Sequence, residues 1–193
     1  MSIRAFIALE LPDSARDILL SAGGAVRDAD PRWRGEKWVP ACNLHVTLKF
    51  LGTVGEDALD ALGESMVAEL EGSTPFELEL AGLRATPRPR DARMLWGMLN
   101  DPDGACCDLA ERVERAALAI GVPPEQRAFS PHVTLVRARR PHAITADALS
   151  SGDDVIRTSR ASVSVARASL FSSRTLPTGP EYRAIGEWQL SAG

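Results

Sequence analysis

The sequence predicts an α+β protein built on antiparallel sheet, and three observations carry that expectation. Strand-like and helix-like stretches follow one another without the regular βαβ rhythm of a parallel sheet. Two of them, Phe76 to Leu80 and Met94 to Leu99, read as the arms of one long-looped hairpin. Finally, the tetrapeptide His-Val-Thr-Leu occurs twice, at 45–48 and at 132–135, each time in a strand-like setting. A helix-strand-strand-helix order lies between the copies, as a duplicated lobe would produce, and such lobes would set the two strands face to face across a cleft.

Taken in order, Ile3 to Leu9 is a short apolar run with β character. Leu11-Pro12-Asp13-Ser14 then supplies helix-start chemistry, and Ala15, Ile18, Leu19, Ala22 and Val26 recur at helical spacing. Asn43 to Leu51 alternates as a strand and ends at Gly52, and Glu56 to Leu70 reads as a helix. Beyond the hairpin, Leu109, Val113, Ala116, Ala117 and Ile120 mark a helix stopped by Gly121 and Pro123. Ser130 to Leu135 alternates again. The Ser/Val alternation of Ala161 to Val165 runs on to Phe171, and Tyr182 to Leu190 reads as a last strand.

With 193 residues and 45% apolar composition, the chain can bury a sizeable core as one large domain or two small lobes. The stretch MSIRAFIALELPDS lacks the regions of a signal peptide, and no apolar run approaches a membrane span, so the cytoplasm is the expected compartment and no membrane partner is expected. Three cysteines, two of them adjacent, read as buried reduced thiols. A formal net charge of −4 argues against a protein that coats long nucleic acid, while leaving room for a short ligand or an RNA end. All of the 22 basic residues except Lys37 and Lys49 are arginine. That bias weakens any reading of Arg84, Arg88, Arg90 and Arg93 as a phosphate site, and a solvated Pro-rich loop is expected there.

The chemistry lies in the repeated tetrapeptide. Residues i and i+2 of a strand share a face, so His45 and Thr47 point one way, and His132 and Thr134 do the same, with Val46, Leu48, Val133 and Leu135 turned to the core. Histidine gives and takes protons near neutral pH, and threonine hydroxyls can hold non-bridging phosphate oxygens. One His-x-Thr tripeptide means nothing, but two identical tetrapeptides that use two of only three histidines point to a site. The third, His142, follows Arg139-Arg140-Pro141 and reads as solvated in a polar turn. No third ligand stands near either pair, so no metal is expected; the absence of GxxxxGK[ST] and of GxGxxG after a strand leaves no nucleotide cofactor to expect.

These residues carry a family resemblance. The paired His-x-Thr motifs resemble the 2H phosphoesterase superfamily. The wider match, Arg4 to Leu9 with Leu11-Pro12, Asn43 to Leu48 with Phe50-Leu51-Gly52, Pro131 to Leu135 with Arg137, and Leu170 to Ser173 leading to Gly179-Pro180, Tyr182 and Trp188, is similar to its RNA 2′,3′-cyclic phosphodiesterase branch, also called 2′-5′ RNA ligase. The resemblance implies one bilobal domain over 1–193 with pseudo-twofold duplicated lobes, antiparallel sheets facing a central cleft, and helices outside. It also implies the ligands, RNA ends or nucleotides carrying a 2′,3′-cyclic phosphate, and the opening of that ring to a 2′-phosphomonoester. By the family pattern His45 is the proton donor and His132 the proton acceptor. The same site run backwards joins a cyclic end to a 5′-hydroxyl. A monomer with no cofactor is expected.

Phe50 and Arg137 stand at matched positions, five residues after His45 and His132. Strict alternation turns both away from the histidines unless a bulge or strand end intervenes, so Phe50 is either a core residue or a stacking face, and Arg137 a phosphate or base contact. Phe6 reads mainly as core, with a place in the lining of the base pocket as the alternative. Two alternatives stay open: the same fold acting on another cyclic nucleotide or an ADP-ribose cyclic phosphate, and a non-catalytic module that binds RNA ends.

Overall fold

The computed structural model describes residues 2–177 and 179–191. The first strand, β1 (Ser2–Glu10), is followed by α1 (Asp13–Ala29), the short β2 (Lys37–Trp38), β3 (His45–Gly55) and α2 (Glu56–Glu69). Then come β4 (Phe76–Thr86), β5 (Ala92–Asn100), α3 (Ala105–Ala119), β6 (His132–His142) and α4 (Ala146–Ser159), and finally β7 (Ser162–Val165), β8 (Arg167–Leu176) and β9 (Gly179–Gln189). All strand pairings are antiparallel, in the order β7-β4-β5-β6-β3-β1-β8-β9, with β2 added on β6. The fold is therefore the expected α+β arrangement, and the β4–β5 hairpin forms as read, Leu80 to Thr86 pairing with Leu99 to Met94.

The order divides into two matched sets of four, and β3 and β6, which carry the two motifs, meet at the centre. Their seam is narrow, a single pairing of Val46 with Val133. Helices α1 and α4 pack on each other and cover the set containing β4, β5 and β6, while α2 and α3 cover the set containing β3. The two sets are not the two halves of the chain. β1 joins β3, the next element α1 crosses to the other set, and β8 and β9 return from the far end of the sequence to lie beside β1.

Buried apolar side chains form one continuous core, from Ile7, Leu9 and Val46 through Leu95, Val133 and Ile156. Val46, Leu48, Val133 and Leu135 are buried as alternation demands. α3 begins where the Asp101 carboxylate accepts the N–H groups of Cys106 (3.1 Å) and Cys107 (2.9 Å), and it ends at Gly121, whose φ of +82° suits glycine. Among the described residues no helix is long and apolar enough to cross a membrane.

Four local expectations are corrected. β3 does not stop at Gly52 but runs through it to Gly55, because Gly52 takes a φ of +72° and absorbs a register shift against β1, where a side chain would be strained. The sequence reading has no element at 146–159, where α4 forms. Its buried stripe is Ala148, Gly152 and Ile156, mostly residues too small to register as an apolar period, and Thr145 caps it by accepting the Ala148 N–H at 3.2 Å. His142 is not in a solvated turn: it closes β6, its ring centroid is 4.3 Å from that of Trp33, and its Nε2 is 3.2 Å from Glu36 Oε1. Of the three unpaired cysteines only Cys106 is fully buried; Cys42 is exposed.

Candidate active site

The site starts with two backbone carbonyls. His45 opens β3 and its Nδ1 is 2.8 Å from the carbonyl oxygen of Asn43; His132 opens β6 and its Nδ1 is 2.8 Å from the carbonyl oxygen of Ser130. A carbonyl only accepts, so Nδ1 carries the proton in both rings, and Nε2 is left as the nitrogen that can exchange one. The His45 Nε2 is 3.0 Å from Thr47 Oγ1. Asn43 is itself held, its Nδ2 donating to the Pro180 carbonyl at 2.8 Å, so β9 helps set the His45 ring.

Aromatic rings hold the imidazoles from the side. Phe6 (4.9 Å) and Tyr182 (5.4 Å, edge-on) flank His45, while Trp96 stacks on His132 at 3.9 Å. Burial pushes the pKa of each histidine below its usual value, because a charged imidazolium is poorly solvated there. The carbonyl bonds oppose that shift, and the Arg137 guanidinium adds to it at both rings; His132 further lowers His45, and Arg84 further lowers His132.

His45, Thr47, Phe50, His132, Thr134 and Arg137 all line one cavity of about 490 Å³, so the fold brings together every residue singled out by the motifs. Phe50 and Arg137 reach it through a shared backbone device. In β3 the neighbours Leu48 and Lys49 are both buried, and in β6 Leu135 and Val136 are both buried, so alternation slips by one residue at the same place in each motif. The ladders record the slip: on the β1 side Leu48 is passed over between Lys49 and Thr47, and on the β5 side Leu135 is passed over between Val136 and Thr134. These bulges turn Phe50 and Arg137 onto the histidine face. Phe50 is 54% exposed, which removes the core reading for it.

Four further lining or flanking residues were not among the candidates: Arg4, Asn43, Tyr182 and Trp96. Trp96 is placed only by cross-strand pairing with Thr134, which no local pattern announces. Tyr182 is the single tyrosine of the chain, a signal that was available. Phe6 is buried yet forms the floor of the cavity. Arg84, Arg88, Arg90 and Arg93 are not among the residues lining this cavity; Arg88 is paired with Asp91 at 2.8 Å on the surface, while Arg84 is near enough for its charge to act on His132. Among the described residues no group of three or more His, Cys, Asp or Glu is placed to hold a metal ion.

Two antiparallel sheet halves that each present a histidine and a threonine to one cavity define a phosphoesterase of the two-histidine class. The model of the LigT-like phosphoesterase family matches residues 9–96 and 102–182, and the chain belongs to that family. The RNA 2′,3′-cyclic phosphodiesterase of Methanothermobacter thermautotrophicus is 32% identical over 190 residues, 98% of this chain and 100% of the relative. A crystal structure of a Thermus thermophilus protein has a TM-score of 0.76 at 26% identity, covering 97% of this chain and 98% of that one. The ligand-free Escherichia coli LigT structure has a TM-score of 0.72 at 25% identity, covering 98% of each chain.

Proposed function

We propose that this protein opens 2′,3′-cyclic phosphates at RNA ends, leaving a 2′-phosphomonoester, with His45 and His132 as the acid and base. The observation that supports the mechanism is the matched pair of imidazoles at one cavity, each with Nδ1 tied to a backbone carbonyl so that Nε2 is the nitrogen left to exchange a proton, that of His45 beside the Thr47 hydroxyl. Neutral His132 takes a proton from water through Nε2 as the oxygen attacks phosphorus. Protonated His45 gives its Nε2 proton to O3′ as the phosphorus–O3′ bond breaks. The two rings end with their protonation states exchanged and recover by exchange with solvent.

Thr47 and Thr134 supply hydroxyls to the non-bridging oxygens, and Arg137 supplies the charge that an anionic phosphodiester needs. Phe50, exposed at the cavity mouth, and Tyr182 offer ring faces or edges to the base. Among the described residues the cavity walls hold Arg4 and Arg137 and no carboxylate, as suits an anion. No step calls for a metal, and the cytoplasm, where RNA ends arise and thiols such as Cys42 stay reduced, is the compartment that fits.

Incubation of purified protein with a nucleoside 2′,3′-cyclic phosphate in EDTA is the direct test. Accumulation of the 2′-monophosphate is expected. Binding without turnover would make the protein an RNA-end binding module, and turnover confined to a 3′,5′-cyclic or ADP-ribose cyclic phosphate would change the substrate. Loss of activity in EDTA that Zn²⁺ or Mn²⁺ restores would overturn the metal-free mechanism.

A further inference from the structure

A base that takes a proton from water becomes a cation, and the surroundings of His132 resist that charge. Burial disfavours the imidazolium first; the Ser130 carbonyl, which accepts the Nδ1 proton at 2.8 Å, works the other way, and the Arg137 and Arg84 guanidiniums add to the resistance. His45 stands across the first cavity. On the other side lies a cavity of about 760 Å³ that His132 and Trp96 both line, with Cys107, Glu111 and Glu114 of α3, Lys49 of β3, and Glu125 and Arg127 ahead of β6. Lys49 is tied to Glu114 there at 2.7 Å, and among the described residues no carboxylate is hydrogen-bonded to the His132 ring. In the plane of the imidazole Nδ1 is taken by Ser130 and Nε2 by the reaction, so only the face of the ring is left to receive a stabilising group.

Trp96 covers that face. Because Leu135 is passed over in the ladder, Trp96 of β5 stands opposite Thr134, on the histidine side of the sheet. The two rings stack with centroids 3.9 Å apart and planes 26° from parallel. Trp96 Nε1 is buried without an acceptor among the described residues, so no hydrogen bond of that group fixes the indole there. His45 is flanked differently, by Tyr182 edge-on at 5.4 Å and by Phe6 tilted at 4.9 Å. Indole has the most strongly cation-attracting face of the aromatic side chains, and the attraction grows when the pair is shielded from water. Such a stack favours the charged imidazole over the neutral one. On the acid, which starts charged and ends neutral, it would hold back the proton; on the base, which starts neutral and ends charged, it assists.

Resting on the phosphodiesterase reading, we infer that Trp96 is a positioning residue for the base, its indole face stabilising the imidazolium that His132 becomes as water attacks phosphorus. The proton leaves the water oxygen for His132 Nε2, and that oxygen keeps the electron pair and bonds to phosphorus. The phosphorus–O3′ bond breaks, and O3′ takes the His45 proton. The charge gained by His132 lies against the indole while Nδ1–H stays on the Ser130 carbonyl, so the ring holds its orientation through the transfer.

The test titrates the histidines by NMR in protein whose Trp96 is replaced by tryptophan bearing one, two or three ring fluorines, which withdraw electron density from the indole face and keep its shape. The His132 pKa should fall with each fluorine, by roughly half a pKa unit to one pKa unit over the series, while that of His45 moves much less. Trp96→Phe, which leaves a ring with a weaker face, should lower it as well. With a nucleoside 2′,3′-cyclic phosphate, kcat/KM should fall in the same order and its acidic limb should move to lower pH. A His132 pKa that stays fixed along the fluorine series, or that rises there as loss of mere burial would make it, overturns the proposal. The titration needs no substrate, so the two readings fail separately: absence of cyclic phosphate turnover by the wild-type protein overturns the phosphodiesterase reading, and an unresponsive His132 overturns the part given to the indole.

Discussion

Two histidines with the same backbone tie differ in the task proposed for each, and the difference is measurable. One proton transfer is worth about 10² to 10⁴ in rate, so His45→Ala and His132→Ala should each lose that much while remaining folded. A substrate whose leaving group needs no protonation should restore the His45 variant and not the His132 variant; the reverse pattern would exchange the roles. Both imidazoles are held below the usual value of about 6.5, chiefly by burial, and this sets the pH profile. The base must be neutral, so kcat/KM rises as pH passes the His132 pKa; the acid must be protonated, so it falls as pH passes the His45 pKa. The free-enzyme optimum is therefore expected below pH about 6.5. A bound phosphodiester anion favours the imidazolium forms, so the kcat profile should lie to the alkaline side of it. A kcat/KM optimum above neutrality would contradict the burial argument. Arg137 also lowers both values. Arg137→Lys keeps the charge and loses the planar fork, so a clear loss of kcat/KM with little movement of the profile is expected; wild-type kinetics would remove Arg137 from the site.

At the scale of elements, the cleft exists because strands slip and helices come close. The paired bulges in β3 and β6 turn Phe50 and Arg137 onto the histidine face, where the arginine is proposed to meet the phosphate and the aromatic ring the base. Lys49, displaced inward by the same slip, is 1% exposed, and its ammonium donates to Glu114 of α3 and to the Pro123 carbonyl, both at 2.7 Å. It ties the motif strand to its covering helix. On the other side Gly152 of α4 faces both β4 and α1: a Cβ there would collide with the end of the Leu83 side chain, which can move, and lie 3.0 Å from Val26 and 3.2 Å from the Ala22 carbonyl. Helix propensity alone would make Gly152→Ala stabilising by up to about 1 kcal/mol. The Ala22 carbonyl belongs to the backbone of α1 and cannot step aside cheaply, so a net loss of about 1 kcal/mol or more is expected as a lower urea midpoint. Gly63→Ala, in α2 with nothing near its Cβ, should instead raise the midpoint. Equal effects at the two sites would show that the packing of α1 and β4 does not constrain Gly152.

The whole molecule is two matched sets of strands sewn together by chain crossing. Consecutive elements β1 and α1 belong to different sets, and the strands completing the first set come from the last part of the sequence. Neither set can form without the other's segments, so unfolding should be a single cooperative event despite the narrow Val46–Val133 seam. Trp33, Trp38 and Trp96 report on one set, and Trp188, in β9, on the other. Tryptophan fluorescence and far-ultraviolet circular dichroism should give coincident urea transitions. Two separated transitions would mean that the sets fold independently.

Much of this was legible from residues alone. Strand alternation exposed the His-x-Thr pairs, the 3.6-residue period marked α1, α2 and α3, and repetition of one tetrapeptide located both sides of the site. Those signals are local, because alternation and helical period depend on which side of an element meets the core. What stayed hidden depends on pairing between distant segments. The bulges that turn Phe50 and Arg137 inward, the stacking of Trp96 on His132, the tie from Asn43 to Pro180 and the partnership of His142 with Glu36 all need a register or a close approach that no window of sequence contains. α4 escaped for the opposite reason: its buried stripe is Ala148, Gly152 and Ile156, two of the three small, and the smallness of Gly152 has meaning only once α1 and β4 are in place against it.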